Sequence, residues 1–149
     1  MRMGRRQFLG TSATAILAAG TLARGTVFGA NERIRAGIIG MNGRGTDLMK
    51  ALSKVDGVEV GAICDVDSEV LHARAGAYAK AMGKPVTTYR DLRDLLADSA
   101  IDAVVVAAPN HWHVLGALWA CQAGKDVYVE KPMAYSIYEG RQLVAAAGQ

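Results

Sequence analysis

The sequence predicts an α/β domain built on a parallel sheet with helices on both faces. Three observations point there. From Ile34 onward, short apolar runs alternate with segments of helical period, the signature of successive βα units. Most of the runs are continuous and β-branched, as strands buried on both faces are. Gly57, Gly83 and Gly124 each follow a helical stripe, where a left-handed residue ends a helix at little cost.

The expected strands are Arg35 to Ile39, Val58 to Cys64, Val86 to Tyr89, Ala103 to Ala107 and Val127 to Val129. The third has the weakest signal, because Lys84-Pro85 leads into only Val-Thr-Thr-Tyr. Between the strands, Leu48, Leu52 and Val55 repeat at helical spacing, as do Leu71, Ala75, Tyr78 and Met82. A compact helix is expected from Asp91 to Leu96. Val114, Leu115, Leu118 and Trp119 then form another stripe, and each stripe is expected to face the core.

Ahead of this domain, residues 1–30 read as a leader. They hold Arg2, Arg5, Arg6 and Arg24 and no acid, four of the chain's 17 Lys and Arg. The remaining thirteen cations face 14 acids, so the basic charge belongs mostly to the leader. Nothing in the body clusters cations as nucleic-acid binding requires. Arg5-Arg6-Gln7-Phe8-Leu9 precedes an apolar stretch from Thr11 to Ala23 that is too short and too weakly hydrophobic to span a bilayer. It is similar to a twin-arginine export signal, an address read by the twin-arginine translocase, with cleavage expected after Gly29 or Ala30. The expected destination is the bacterial periplasm. A frayed basic terminus is the alternative. Cys64 and Cys121 lie in apolar surroundings and are expected to be free thiols.

Residues 31–149 are thus the expected domain, with room for a core but none for a substrate domain. The chain stops at or near the helix after the fifth strand, so it reads as an N-terminal fragment whose sheet lacks the usual sixth strand. The open edge is expected to favour aggregation and weak ligand binding.

Four places carry chemistry. Gly40-Met41-Asn42-Gly43-Arg44-Gly45 follows the first strand, where glycines let backbone approach a pyrophosphate and a helix N-terminus attracts its charge. Asn42 stands at the second glycine of the G-x-G-x-x-G pattern, although Asn tolerates left-handed backbone and Gly43 follows it. A tight structural turn is the other reading. Asp65 ends the second strand twenty residues after Gly45, where an acid can accept from the adenosine ribose hydroxyls. It would repel a 2′-phosphate, favouring NAD over NADP, with Arg44 the nearby cation that could soften this preference. Alternatively, Asp65 belongs to the turn or caps the next helix.

Pro109-Asn110-His111-Trp112-His113 follows the fourth strand and shares the same carboxyl edge. His111 and His113 invite a zinc reading, but the only other histidine is His72 and the spacing suits no metal. Otherwise Asn110 or a neighbour caps the next helix and Trp112 packs. Glu130-Lys131-Pro132 follows the fifth strand and brings a carboxylate and an ammonium to that edge, with Lys131-Pro132 a candidate cis bond. A lysine there can trade protons with a substrate hydroxyl, or Glu130 and Lys131 form a solvated ion pair.

Taken together, these residues resemble the glucose-fructose oxidoreductase, inositol dehydrogenase and rhizopine-catabolism (Gfo/Idh/MocA) family. Ile34 to Gly45 resembles its nucleotide turn, and Ala62 to Asp67 its acidic second-strand end. Val104 to His113 resembles its fourth-strand loop, and Val127 to Pro132 its Glu-Lys-Pro motif. The similarity runs from Ile34 to Gln149, and exported members also carry twin-arginine leaders. It implies a Rossmann-type doubly wound sheet, truncated before the C-terminal α/β substrate domain.

By this resemblance, Gly40, Asn42, Gly43 and Gly45 hold the pyrophosphate and Asp65 the ribose. Pro109, Asn110 and His113 line the nicotinamide side. Glu130 contacts the nicotinamide ribose, and Lys131 binds and polarises the substrate hydroxyl as the catalytic residue. The activity implied is hydride transfer between a sugar or polyol carbon and NAD, by a homo-oligomer when full length. Two alternatives stand beside it: an NAD-dependent glycosidase that oxidises its sugar transiently, and a non-catalytic NAD-binding remnant.

Overall fold

The computed structural model describes residues 33–148. The expected export signal, residues 1–30, lies outside the described residues. Five strands form one sheet: β1 (Ile34–Ile39), β2 (Val58–Cys64), β3 (Thr87–Tyr89), β4 (Ala103–Val106) and β5 (Asp126–Val129). Their spatial order is β3-β2-β1-β4-β5, with every pair parallel. The order reverses direction between β1 and β4, the switch point of a doubly wound sheet.

Among the described residues, five α-helices accompany it: α1 (Arg44–Leu52), α2 (Ser68–Met82), α3 (Leu92–Ala97), α4 (His113–Gln122) and α5 (Ile137–Ala147). Adjacent strand residues point to opposite faces. Ile38, Ile63 and Val105 therefore pack with Met49, Leu71 and Tyr78 of α1 and α2. Ile39, Ala62, Val104 and Val106 pack with Leu95, Leu96 and Ala120 of α3 and α4. Val114 and Ala117 of α4 meet Leu143 of α5 in a smaller cluster.

The helix boundaries have local causes. Asp67 caps α2 by accepting from the backbone N–H of Glu69 at 2.9 Å and of Val70 at 3.2 Å. Gly83 ends α2 at φ 70°, and Gly57 and Gly124 also take positive φ. Asp91 caps α3, and Ser136 caps α5.

Three residues expected in the core are exposed instead. Val55 lies beyond the end of α1, and Met82 is the last residue of α2. Leu115 is one step round the helix from Val114 and so turns away from the Val114, Ala117 and Ala120 stripe. The third strand starts at Thr87, not Val86, and the fourth ends at Val106. Both cysteines are free, and burial pushes the Cys64 thiol up to about 12, which keeps it an inert core residue.

Candidate functional site

The strand register decides where the loops go. Ile39 pairs with Cys64 and with Val106, Cys64 pairs with Tyr89, and Val106 pairs with Val129. The five carboxyl ends therefore form one row. The next residues extend that row by backbone bonds: Gly40 N–H to Cys64 O at 2.8 Å, Asp65 N–H to Tyr89 O at 3.2 Å, and Glu130 N–H to Val106 O at 2.9 Å. The loops that carry Gly45, Asp65, Asn110 and Lys131 all leave the sheet on this rim.

In the glycine turn, each glycine has a separate cause. Gly40 takes φ 89°, and a Cβ on it would lie 2.7 Å from Ala107 O. A Cβ on Gly45 would lie 1.7 Å from Gly40 O, so α1 can pack this close to β1 only with glycine there. Gly43 takes φ 86° and ψ −113°, with nothing near the position a Cβ would occupy. Positive φ thus falls on Gly40 and Gly43 and not on Asn42, so the tolerance expected of Asn42 is not used. No side chain caps α1. Thr46 and Asp47 donate their N–H groups to Gly43 O at 2.9 and 3.3 Å, which leaves the N–H groups of Arg44 and Gly45 at the start of the helix without an intrahelical partner, and this suits an anion.

Asp65 is half-buried. Its Oδ2 accepts from Met41 N–H at 2.6 Å, and its Oδ1 accepts from Asp67 N–H at 3.0 Å. Because Asp67 takes the capping role for α2, the Asp65 carboxylate stays beside the glycine turn. A cleft of about 410 Å³ opens there, lined by Gly40, Asp65, Val66, Arg90, Pro109 and Trp112 among others. That volume is in the range of small-molecule sites.

Arg90 was not among the residues expected at the site. It follows Tyr89, the partner of Cys64, just as Asp65 follows Cys64, and its Nη2 donates to Val66 O at 3.3 Å. The parallel pairing of the second and third strands was the signal that could have found it. Arg44 points elsewhere. Its Nε donates to Glu130 Oε1 at 2.7 Å.

Glu130 is 7 % exposed. The Arg44 guanidinium, then the Lys131 N–H donating to Oε2 at 3.1 Å, hold its carboxyl below the usual 4.5. The ion pair expected between Glu130 and Lys131 is therefore replaced by one with Arg44, and the Lys131 side chain is exposed at the rim. The Lys131-Pro132 bond is cis.

The loop after β4 is a 3₁₀ turn, Asn110–Trp112, with no side-chain cap, so Asn110 does not serve α4 as a cap and is exposed. His113 was expected at the nicotinamide side. It is 2 % exposed, with Nδ1 2.7 Å from Pro132 O and Nε2 2.8 Å from Ala108 O. Both ring nitrogens are committed to backbone, so its reach to a ligand runs through those two loops. Among the described residues, no group of three or more His, Cys, Asp or Glu is placed to hold a metal ion.

Residues 34–149 match the oxidoreductase family with an NAD-binding Rossmann fold, Gfo/Idh/MocA. A glycosyl hydrolase family 109 protein of Shewanella pealeana is 32% identical over 99% of this chain and 37% of its own length. Among solved structures, the WlbA dehydrogenase from Bordetella pertussis, in complex with NADH and UDP-GlcNAcA, is similar. It gives a TM-score of 0.69 at 32% identity over 78% of this chain and 34% of that one. Myo-inositol 2-dehydrogenase from Lactobacillus plantarum gives 0.68 at 30% identity, over 78% of this chain and 33% of that one. The chain thus spans about a third of the length of these proteins.

Proposed function

Because the chain belongs to the Gfo/Idh/MocA oxidoreductase family and is its NAD-binding Rossmann domain, we propose that it is the cofactor half of an enzyme acting on a sugar or polyol. The reaction is hydride transfer between a hydroxyl-bearing carbon and the nicotinamide. One observation carries this reading: the aligned strand ends bring the glycine turn, Asp65, the Pro109-Asn110 loop and the Glu130-Lys131 turn to a single rim.

The residues fit a dinucleotide. The open backbone at Gly43 and the uncapped start of α1 suit a pyrophosphate, with Gly40 and Gly45 letting the turn close on the sheet and Asn42 exposed on its outside. The cleft beside Asp65 takes the adenosine end, and the carboxylate oxygens retain lone pairs for the ribose hydroxyls. NAD is favoured over NADP because that carboxylate repels a 2′-phosphate. Pro109 and Asn110 border the nicotinamide side, and Glu130 accepts from the second ribose. The nicotinamide, when bound, supplies the hydride acceptor. Lys131 Nζ, exposed beside it, binds the substrate hydroxyl and takes or returns its proton. The remaining catalytic groups belong to a substrate domain.

The relative called a glycosyl hydrolase favours a second reading. In it, NAD, when bound, would take a hydride from one sugar carbon and so acidify the neighbouring C–H; the aglycone would leave by elimination, water would add to the resulting double bond, and the hydride would return to the ketone carbon. Both reactions share the same first hydride step. Incubating the full-length gene product with free sugars, polyols and nitrophenyl glycosides separates them. Net NADH from a free sugar or polyol supports the dehydrogenase. Release of nitrophenol with no net NADH supports the glycosidase. Neither product from any substrate, with NAD bound, points to a non-catalytic NAD-binding protein.

We also propose export through the twin-arginine translocase, on the strength of Arg5-Arg6-Gln7-Phe8-Leu9, and a homo-oligomeric full-length enzyme. Fractionation of cells carrying the wild type and an R5K/R6K variant tests export. A periplasmic wild type and a cytoplasmic variant are expected.

A further inference from the structure

We infer that His113 is a positioning residue that locks the turn carrying Lys131 to the loop after β4, so that the nicotinamide end of the rim is set by one buried imidazole. The inference rests on the cofactor reading above and adds the part that fixes the geometry of one end of it.

Three observations carry it. First, the imidazole is 2 % exposed, so its polar atoms must find partners within the protein. Second, those partners are two backbone carbonyls from different loops: Ala108 O, five residues back, at 2.8 Å, and Pro132 O, nineteen residues on, at 2.7 Å. Carbonyl oxygens only accept, so the ring ties the two loops to each other when both its nitrogens carry hydrogen, and with one N–H it still fastens one of them to α4. Third, His113 is the first residue of α4, whose Val114 and Ala117 are buried against α5 and β5. The ring therefore stands on a packed element and transmits that rigidity to two irregular segments. Pro132 is the immediate neighbour of Lys131, and Ala108 precedes Pro109.

The adenosine and pyrophosphate ends have other supports. Asp65 bonds Met41, Thr46 Oγ1 donates to Met41 O at 2.5 Å, and Gly40 bonds Cys64. Loss of the imidazole should thus loosen one end of the cofactor and spare the other.

ADP-ribose, which has the adenosine and pyrophosphate of NAD but no nicotinamide, tests this against NAD by calorimetry on the complete chain. In H113F, which keeps an aromatic ring of similar size without donors, NAD affinity should fall about tenfold while ADP-ribose affinity shifts less than about threefold. H113N, with one amide donor on a shorter stem, should recover part of the NAD loss, and it carries the same comparison if H113F does not fold. Parallel losses for both ligands would show His113 to be merely structural. Unchanged affinity for both would show that the lock does not reach the site. If the wild-type chain binds neither ligand, the cofactor reading falls, and this inference with it.

Discussion

Arg44 Nε lies 2.7 Å from Glu130 Oε1, a bond between residues 86 positions apart that ties the glycine turn to the Glu-Lys-Pro turn. Arg44 is mostly exposed and Glu130 buried. Solvent screening at the exposed guanidinium keeps the pair's own contribution modest, but without Arg44 the buried carboxylate lacks a partner, and the link also places that carboxylate. R44A should lower the melting temperature modestly and weaken NAD binding. The sign of the pH effect follows from Glu130. Its carboxyl is held below the usual 4.5, so the tie is intact above that pH and is lost as pH falls through the lowered value. Without Arg44 the carboxyl moves back up, and the acid limb of NAD binding, followed by calorimetry, should shift to higher pH. An unmoved limb would remove Glu130 from the cofactor's surroundings.

Two glycines in one turn should respond differently to alanine. G45A puts a methyl 1.7 Å from Gly40 O, and its cost should reach about 3 kcal/mol or more, the upper range for overpacking. G43A has open space but a backbone forbidden to alanine, φ 86° with ψ −113°, and its cost should be of order 1–3 kcal/mol. Denaturant unfolding measures both. G45A the milder of the two would contradict the packing of α1 on β1.

Replacing Asp65 by Ala should erode the proposed preference for NAD over NADP. Arg90 makes the expectation sharper, because it borders the same cleft. With the carboxylate gone, its guanidinium is free to meet a 2′-phosphate, and NADP affinity should rise about tenfold, as one charge-assisted contact allows. The D65A/R90A double variant should lose that gain. An unchanged NAD to NADP ratio in D65A would take Asp65 out of the ribose site.

K131M in the full-length enzyme should lower kcat by about 10²–10⁴, the usual share of a proton-transfer group, with a far smaller effect on NAD affinity. Turnover is read as NADH formation or aglycone release with whichever substrate the screen identifies. Retained kcat would assign the proton to another residue.

Much of this was legible in the sequence, for physical reasons. Val104 to Val106 is a continuous β-branched run, and such a run suits a strand covered on both faces. The rim followed from topology, since a parallel sheet sends every βα loop to one edge. Arg90 was hidden because its strand has three residues, Thr87 to Tyr89, and none of them is buried. The Arg44–Glu130 tie was hidden because sequence places each loop but not the reach of a long side chain across the gap between loops. His113 stands out in the sequence through its motif. That both its nitrogens face backbone could be seen only once two loops had coordinates. Leu115 shows the limit of a stripe of four: one apolar position off the helical phase reads as core until the packed face is known.

Because Ile39, Cys64, Tyr89, Val106 and Val129 stand level, strand length acts as the protein's ruler. An extra residue in a strand raises its loop by about 3.3 Å and turns its side chains to the opposite layer, unless a bulge absorbs it, as at Gly61, which β2 holds between the partners of Ala36 and Gly37. The wording of an individual loop is therefore free to differ, as Asn42 does from the second glycine of the G-x-G-x-x-G pattern, so long as the strand beneath it still ends in the row.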